Sequence, residues 1–389
     1  MSRAASLEMG KTPPVLRIIP ELRADHVKRS QNLTAADTLY LETNPDLPGT
    51  HIPGDFRRVS MLGLLKHVIL SRATVLELPE PLWVRFLPRT ISAALAWKAS
   101  RLVRRTPGST VVYAIENNDP IALLFGNRRV ARGFAWPLVL LLGVAIRSSV
   151  DRVCFGSEGS RETYQSIPLV RGIDHAVVVN LPARPASVAA SVPVDETRSN
   201  RVSFVGVLAA RKGIDVLMQS WPSVEQCCSE AVLTIVGDGP MSRQVEQWSA
   251  ENPKNRKFCG RLPHSQVSSI VGRSALLVAP SVRDGRWREQ IGLPILEALT
   301  VGATVVTSDE TALATWLSAQ GHSVIPVHDL SRSLAGEIVD RLKMPLPTDE
   351  VIASLPEVSG RVSADKWMSQ AQHLRFDDST GDQSRNENP

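Results

Sequence analysis

The stretch that decides the fold is residues 231–240, Ala231-Val232-Leu233-Thr234-Ile235-Val236-Gly237-Asp238-Gly239-Pro240. Six mostly apolar residues are followed at once by Gly-Asp-Gly-Pro, the pattern of a buried strand that ends in a tight turn. Similar strand candidates lie on either side, at Val202–Val205, Ala275–Val278 and Thr304–Thr307. Predicted helices separate them, at Ile214–Trp221, Met241–Ser249, Val267–Arg273 and Pro294–Leu299. Alternating strands and helices indicate a parallel sheet covered by helices.

The first half of the chain has the same alternation in a weaker form. The strand candidates are Val15–Ile19, Thr74–Leu78, Thr110–Ile115, Arg152–Phe155 and Ala176–Val179. The helix candidates are Met61–Arg72, Ile91–Arg105 and Ala135–Ser148. We therefore predict an N-terminal domain, a Pro- and Ser-containing linker, a C-terminal domain, a helical segment and a disordered tail, over 1–185, 186–199, 200–345, 346–376 and 377–389.

Composition agrees with two soluble α/β domains. The 389 residues are 43% hydrophobic and 21% charged, which excludes collagen-like, wholly disordered and disulfide-scaffold classes. The net charge of +5 is uneven, since residues 1–195 hold 24 basic and 16 acidic side chains. Two domains with different partners are indicated.

Four cysteines without zinc-site spacing, two of them adjacent at Cys227 and Cys228, favour a reducing compartment. The first twenty residues have no apolar core typical of a signal peptide. We therefore expect a cytoplasmic protein, with the inner face of the plasma membrane as a second possibility.

The segment with the most specific chemistry is residues 289–297, in which Glu289 and Glu297 flank a Gly and a Pro. Pro294 suits the first turn of a helix, because its missing N–H costs nothing there. Free N–H groups at that helix start attract phosphate, and a carboxylate at each end can accept hydrogen bonds from hydroxyl groups. The pattern indicates a ligand with phosphates in its middle and hydroxyls at both ends, such as a nucleotide sugar.

At this point the sequence resembles a family, the GT-B retaining glycosyltransferases of family 4, or glycosyl transferases group 1. The resemblance is carried by segment 289–297 and by Phe204-Val205-Gly206, Lys212-Gly213, Ile235 to Pro240, Gly260-Arg261-Leu262 and Pro280-Ser281. It implies an α/β GT-B fold, with two Rossmann-like domains whose parallel sheets face each other across a central cleft. It also implies a nucleotide-diphosphate sugar as donor, no cofactor and no metal. The chain has no Asp-x-Asp triplet, which agrees with a site without metal.

The resemblance assigns roles to individual residues. Glu289, Lys212 and Arg211 become the catalytic candidates: Glu289 contacts the donor sugar, Lys212 binds phosphate, and Arg211 adds charge where Val207 replaces the usual Arg. Glu297 becomes the ribose-binding residue. The other donor-binding candidates are Gly206, Gln290, Ile291, Gly292, Leu293, Gly237, Arg261 and Leu262.

Each assignment has a plainer alternative. Glu289 could pair with Arg286 or Arg288 at the surface, Glu297 could be an ordinary first-turn glutamate, and Arg211 and Lys212 could form a solvated turn. Gln290 stands where the family usually has Gly, so the donor loop is expected to differ in shape. The family's Gly-Gly loop after the first strand is missing, and only Glu116 and Asn117 are left as acceptor-side candidates.

Aromatic and basic residues mix in the predicted helices of the first half. The aromatic residues are Trp83, Phe86, Trp97, Phe134 and Trp136, and the basic ones are Arg85, Arg89, Lys98, Arg101, Arg104 and Arg105. This mixture is typical of a helix layer lying on an anionic membrane, and it is equally compatible with ordinary packed helices. Nucleic-acid binding is not indicated, because the basic residues form no run or known motif.

The sequence thus predicts a retaining, metal-independent hexosyltransferase that uses a nucleotide-diphosphate sugar. Its acceptor would be a glycan or a lipid-linked glycan in bacterial cell-surface polysaccharide biosynthesis. Two alternatives stay open: a GT-B sugar-nucleotide epimerase that converts donor alone, and a non-catalytic nucleotide-sugar-binding protein.

Overall fold

A computed structural model of the chain describes residues 14–45, 47, 49–125, 132–186, 198–285, 288–290 and 292–370. These residues form two parallel β-sheets, each with helices packed on it, so the predicted α/β class with two Rossmann-like sheets is confirmed. Most of the predicted linker and the whole predicted tail lie outside the described residues.

Within the described residues, the first sheet has seven strands. They are β1 (Val15–Leu22), β2 (Ala36–Thr43), β3 (Phe56–Arg58), β4 (Val75–Leu78), β5 (Ser109–Ala114), β6 (Arg152–Phe155) and β7 (Asp174–Val177). The helices between them are α1 (Ala24–Ser30), α2 (Met61–Leu70), α3 (Leu87–Arg104), α4 (Pro120–Phe125), α5 (Arg132–Ser149) and α6 (Glu158–Gln165). The strand order is β3-β2-β1-β4-β5-β6-β7. Strands β2 and β3 are therefore added on one side of β1, and β4 to β7 are added on the other side.

Most strands of this sheet are buried on both faces, whereas β3 and β7 are largely exposed or half-buried. In β1, Leu16 and Ile18 pack into the core beneath α2, α3 and α5. Val15 joins a separate core on the opposite face, with Ala364 and Met368 near the end of the described chain. A strand buried on both faces shows a continuous apolar run, which is why β1 could be predicted from the sequence.

The second sheet, again counting described residues only, has six strands. They are β8 (Arg201–Val205), β9 (Val232–Val236), β10 (Arg256–Phe258), β11 (Leu276–Ala279), β12 (Thr304–Ser308) and β13 (Ser323–Ile325). Its helices are α7 (Ile214–Cys227), α8 (Ser242–Ala250), α9 (His264–Gly272), α10 (Leu293–Thr300), α11 (Ala314–Ala319), α12 (Leu330–Lys343) and α13 (Thr348–Ala353). The order β10-β9-β8-β11-β12-β13 is that of a dinucleotide-binding Rossmann sheet, with its reversal between β8 and β11.

The last described helix, α14 (Gly360–Ser369), returns to the first sheet and contacts β5 and β6. Arg17 of β1 and Glu77 of β4 are directly paired by the register and joined by a 2.6 Å ion pair. Arg17 also donates to Asp365 of α14 at 2.7 Å, and Arg361 of α14 pairs with Glu77. A buried network of four charges therefore attaches the end of the described chain to the first domain.

Two expectations about local structure need correction. The strand predicted at Ala176–Val179 is β7, which begins two residues earlier, at the polar pair Asp174 and His175. Among the proposed membrane residues, Phe86 and Trp97 are core side chains, and the Arg101 guanidinium lies 3.8 Å from the ring centre of Trp97. Those two aromatic residues and Arg101 therefore serve packing and not surface binding.

Candidate active site

The candidate site lies at the carboxyl end of the second sheet, where the strand order reverses. The loop after β8 carries Gly206, Arg211 and Lys212, and the loop after β11 carries Glu289 and Gln290. Since β8 and β11 flank the reversal, these two loops line the crevice in which open α/β sheets bind ligands. The structure thus brings the main sequence-predicted residues to one place.

Two glycines allow the loops at the ends of neighbouring strands to approach each other closely. Gly237 brings the loop after β9 to the loop after β8, and Gly213 brings the loop after β8 to the loop after β11. Gly237 has φ of 146°, and a Cβ there would lie 1.8 Å from the carbonyl oxygen of Gly206. Gly213 has φ of 69°, and a Cβ there would lie 1.9 Å from the carbonyl oxygen of Pro280. Any other residue at either position would push the strand-end loops apart.

The centre of the site is an ion pair between Lys212 and Glu289. The Lys212 ammonium contacts Oε2 of Glu289, and the Ser281 hydroxyl donates to the same oxygen at 3.1 Å. The two charged side chains are only 19% and 13% exposed. Glu289 therefore pairs with Lys212, while Arg288, its predicted alternative partner, pairs with Glu310 at 2.7 Å.

The start of α10 adds a second source of positive potential. Gly292 precedes the helix with φ of 57°, Leu293 is its first residue, and Pro294 follows in the first turn, as the sequence predicted. Leu293 is 70% exposed and lies at the entrance of the site. Ile291, a further predicted donor-loop residue, lies outside the described residues. Pro294 has no N–H, and the N–H groups of Ile295 and Leu296 donate to the Gly292 carbonyl at 2.8 and 3.3 Å, so the helix start attracts an anion mainly through its dipole.

Glu297 lies on the same helix, in its second turn. Partial burial raises the pKa of its carboxyl, and nearby His264 opposes that rise. The two side chains approach to 3.6 Å, between Nδ1 of His264 and Oε1 of Glu297. A half-buried carboxylate in this position can accept hydrogen bonds from a pair of hydroxyl groups.

The remaining predicted donor residues surround these groups. Gly206 is half-buried at the end of β8, and Gly237 is linked to Gly260 by a 2.9 Å backbone hydrogen bond. Arg261 is exposed and lies near Asp238, whose pKa is lowered chiefly by hydrogen bonds from Ser242 and Gly239. Leu262 is half-buried. The backbone N–H of Val282 donates to the carbonyl of Arg211 at 3.0 Å, which joins the loop after β11 to the loop after β8.

The two acceptor-side candidates reach this site from the first domain. Glu116, which follows β5, accepts a 2.9 Å hydrogen bond from the side chain of Gln290. The side-chain amide of Asn117 donates to the backbone carbonyl of Glu289 at 3.4 Å, and Arg288 donates to the carbonyl of Asn117 at the same distance. The site is therefore built from both domains, with the donor loop in contact with the end of β5.

Sequence reasoning missed three residues at the site. Ser281 belongs to the Pro280-Ser281 motif but has no predicted role, and no sequence pattern singles out His264. Glu80 follows β4, is 3% exposed, and accepts the backbone N–H of Glu116 at 2.8 Å. Its position between Pro79 and Pro81, directly after a buried strand, is the signal that could have found it.

Within the residues that the structure describes, no group of three or more His, Cys, Asp or Glu residues could hold a metal ion. Over the same residues, no helix combines the length and the apolar character needed to cross a membrane.

Comparison with known proteins finds a family likeness in the second domain. Residues 199–344 match the family model of glycosyl transferases group 1. This region is similar to group 1 glycosyl transferases. The match covers β8 to α12 and includes every predicted donor residue.

Two curated relatives are similar to part of this chain. A phosphatidyl-myo-inositol mannosyltransferase of Mycobacterium leprae is 27% identical over 153 residues, 39% of this chain and 39% of the relative. A 2-deoxystreptamine N-acetyl-D-glucosaminyltransferase of Streptomyces fradiae is 29% identical over 184 residues, 45% of this chain and 42% of the relative. The alignments thus span about two fifths of the length of each relative.

The likeness in fold extends beyond the matched residues. The structure of Anabaena HepE in complex with UDP-glucose has a TM-score of 0.58 and 13% identity, and covers 91% of this chain and 98% of that one. At this identity the likeness establishes the fold alone. The GT-B fold expected from the sequence is confirmed for both domains.

Proposed function

We propose that this chain is a retaining glycosyltransferase that moves a hexosyl-type sugar from a nucleotide-diphosphate sugar to a glycan or glycolipid. One observation carries the proposal: Lys212 and Glu289 pair at the strand reversal, and the acceptor-side residue Asn117 contacts the same loop. The mannosyl and glucosaminyl activities named for the two relatives support it, as does the UDP-glucose bound to Anabaena HepE.

The donor would bind along α10. Its diphosphate would lie against Lys212, Arg211 and the positive end of the helix dipole. The ribose hydroxyls would donate to Glu297, and the sugar would contact Glu289. Because Lys212 already pairs with Glu289, the diphosphate would share the lysine with that carboxylate and so orient it toward the sugar.

The proposed reaction requires the protein to stabilise negative charge on the leaving diphosphate. When the anomeric C–O bond breaks, its electron pair passes to the diphosphate, and Lys212 and Arg211 would stabilise the new negative charge. The acceptor hydroxyl would attack from the face that the diphosphate leaves, and its proton would pass to a phosphate oxygen. This route retains the anomeric configuration and uses cationic side chains in place of a metal ion.

The acceptor would enter from the first domain, beside Glu116 and Asn117. Both are buried polar side chains, and the Asn117 side-chain oxygen has no partner among the described residues. Carboxylate and amide oxygens accept hydrogen bonds from hydroxyl groups, which suits a sugar or polyol acceptor.

A helix layer on the first domain suits an acceptor held at a membrane. Helix α3 packs between α2 and α5, and none of the three contains an Asp or Glu. Their exposed apolar side chains are Leu62, Ile69, Leu70, Leu95, Leu102, Val103, Phe134, Trp136, Leu138, Leu141 and Val144. Two basic side chains of α3, Arg89 and Lys98, pair with Glu42 and Asp151 from outside the layer. Apolar side chains beside the remaining basic ones are what an anionic lipid surface attracts. We place the protein at the inner face of the plasma membrane, which agrees with its four free cysteines.

The full chain should bind vesicles that contain phosphatidylglycerol and not vesicles of phosphatidylcholine alone. A double variant, Phe134→Ser with Trp136→Ser, should weaken that binding about tenfold or more, because two largely exposed aromatic rings are lost. Co-sedimentation measures the bound fraction. Met344→Ser, which removes an apolar side chain of 76% exposure outside the helix layer, is the matched control and should bind normally. Equal binding to both vesicle types would refute the membrane proposal.

A thermal-shift screen against UDP-, GDP-, ADP- and TDP-sugars tests the proposed function. At 100 times its dissociation constant, the true donor should raise the midpoint of unfolding by about 5 °C or more. Glu297→Ala should lose most of that shift, because the ribose hydroxyls lose their acceptor. If no nucleotide sugar shifts the midpoint, the proposal fails. An isomeric nucleotide sugar formed from donor alone would identify an epimerase, and binding without turnover of any donor would identify a non-catalytic binder.

A further inference from the structure

One buried acid in the first domain has no part in the function proposed above. Glu80 follows β4 and is 3% exposed. Its Oε1 atom accepts the backbone N–H groups of Ile115 and Glu116, at 3.0 and 2.8 Å, and the Tyr164 hydroxyl at 3.2 Å. Three donors from two separate elements thus meet on one carboxyl oxygen, and two of them belong to the loop after β5.

That loop makes the contact between the two domains. Oε1 of Glu116 accepts from the backbone and the side-chain amide of Asn118, at 3.0 and 2.6 Å. Oε2 of Glu116 accepts from the side chain of Gln290 in the donor loop. The carboxyl of Glu80 therefore holds the backbone of the residue whose side chain bridges the cleft.

We propose that Glu80 is a positioning residue that fixes residues 115–118, so that Glu116 reaches Gln290 and links the acceptor side to the donor loop. The link needs the side-chain amide of Gln290, which donates to Oε2 of Glu116 at 2.9 Å. The effect of Glu80 on sugar transfer rests on the proposed function, whereas its hold on the loop does not.

The surroundings of Glu80 favour its protonated form. Burial first, and the neighbouring Glu116 carboxylate second, raise the pKa of Glu80 to about 8, against the lowering effect of the two backbone N–H groups. The other titratable groups that face it are Tyr164 and Tyr113, and burial raises the pKa of both hydroxyls. Two carboxylates this close in a buried site cannot both be charged at little cost.

The stability of the loop at residues 115–118 should fall as the pH rises. A carboxyl whose pKa is raised by folding stabilises the folded loop below its ordinary pKa, and that contribution is lost as the pH rises through about 8. Above this pH, charged Glu80 would repel the Glu116 carboxylate and weaken the hydrogen bond that Gln290 donates to Glu116. Glu80→Gln keeps an acceptor oxygen for the N–H groups but cannot ionise, so it should remove the pH effect.

Hydrogen exchange on the full, ligand-free chain tests this at pH 7 and pH 9. Wild type and Glu80→Gln are compared at the same pH, so that the intrinsic exchange rate cancels. Over peptides covering 113–119 and 288–290, the ratio of the wild-type exchange rate to the Glu80→Gln rate should rise about tenfold between pH 7 and pH 9. Glu158→Gln, at a half-exposed acid of the same domain, is the matched control and should follow wild type at both values.

A second measurement separates this proposal from the proposed function. With the nucleotide sugar chosen by the thermal-shift screen, wild-type turnover should fall at least fivefold between pH 7.5 and 9.5, and Glu80→Gln should keep a flat profile. The exchange difference without turnover of any donor would support the positioning role and leave the glycosyltransferase proposal refuted. Exchange ratios that match in wild type and Glu80→Gln at both pH values would overturn the role of Glu80, whatever the activity.

Discussion

Replacing Lys212 by Ala should lower donor turnover by about 100-fold or more. The ammonium would stabilise the diphosphate as it leaves, and removal of one preorganised charge-stabilising group costs about 3–4 kcal/mol of barrier. The substitution also leaves the Glu289 carboxylate with Ser281 in place of the lysine that it contacts now. Release of nucleoside diphosphate from the chosen donor measures the effect.

Two further lysine substitutions show whether this loss is specific. Lys212→Arg keeps the charge but changes its geometry, so it should recover only part of the activity. Lys254→Ala removes a lysine of 68% exposure whose ammonium lies 3.2 Å from Glu230 at the surface, and it should leave turnover unchanged. If Lys212→Ala kept more than half of wild-type turnover, its phosphate-binding role would be wrong.

Replacing Asp365 by Ala should lower the free energy of unfolding by about 3–5 kcal/mol, because it breaks a buried charge network. The Asp365 side chain is 4% exposed and accepts from Arg17 and from the backbone of Thr34, each at 2.7 Å. Without it, Arg17 keeps only Glu77 as an ion-pair partner and α14 loses part of its attachment. Urea unfolding monitored by tryptophan fluorescence measures the change.

The same network predicts a dependence on pH. Although burial alone would raise the pKa of Glu77, Arg17 and Arg361 together hold it below its usual value. The stabilisation is therefore present above the ordinary carboxyl pKa and is lost as the pH falls through the lower folded value.

Glu230→Ala, which removes an acid of 69% exposure, is the control for Asp365→Ala and should lower the free energy of unfolding by less than about 1 kcal/mol. An equally small cost for Asp365→Ala would show that α14 does not depend on the network.

The sequence predicted the second sheet well because its strands are short apolar runs closed by Gly or Pro. The turn 237–240 ends β9 where it was expected, and most predicted strands agree with the structure within one or two residues. Strands β2, β3 and β13 were missed, and β13 is only three residues long. β2 carries polar Asp37 and Thr38 near its start, and β3 is only three residues long, so neither shows a continuous apolar run.

For the candidate site, the sequence identified residues but not partners. Glu289 and Lys212 lie 77 positions apart, and only the strand reversal between β8 and β11 brings them together. The bond from Gln290 to Glu116 depends on how the two domains meet, which no local pattern encodes. Asp365 lies 348 positions from Arg17, so the charge network could not be predicted either.

The most direct test of the central claim is the release of nucleoside diphosphate from the nucleotide sugar that stabilises the chain most. With an added sugar or polyol acceptor and a metal chelator, we expect the wild-type chain to release many nucleoside diphosphate molecules per protein molecule. Lys212→Ala and Glu289→Ala should each lose that release. No release by the wild-type chain, or undiminished release by both variants, would contradict it.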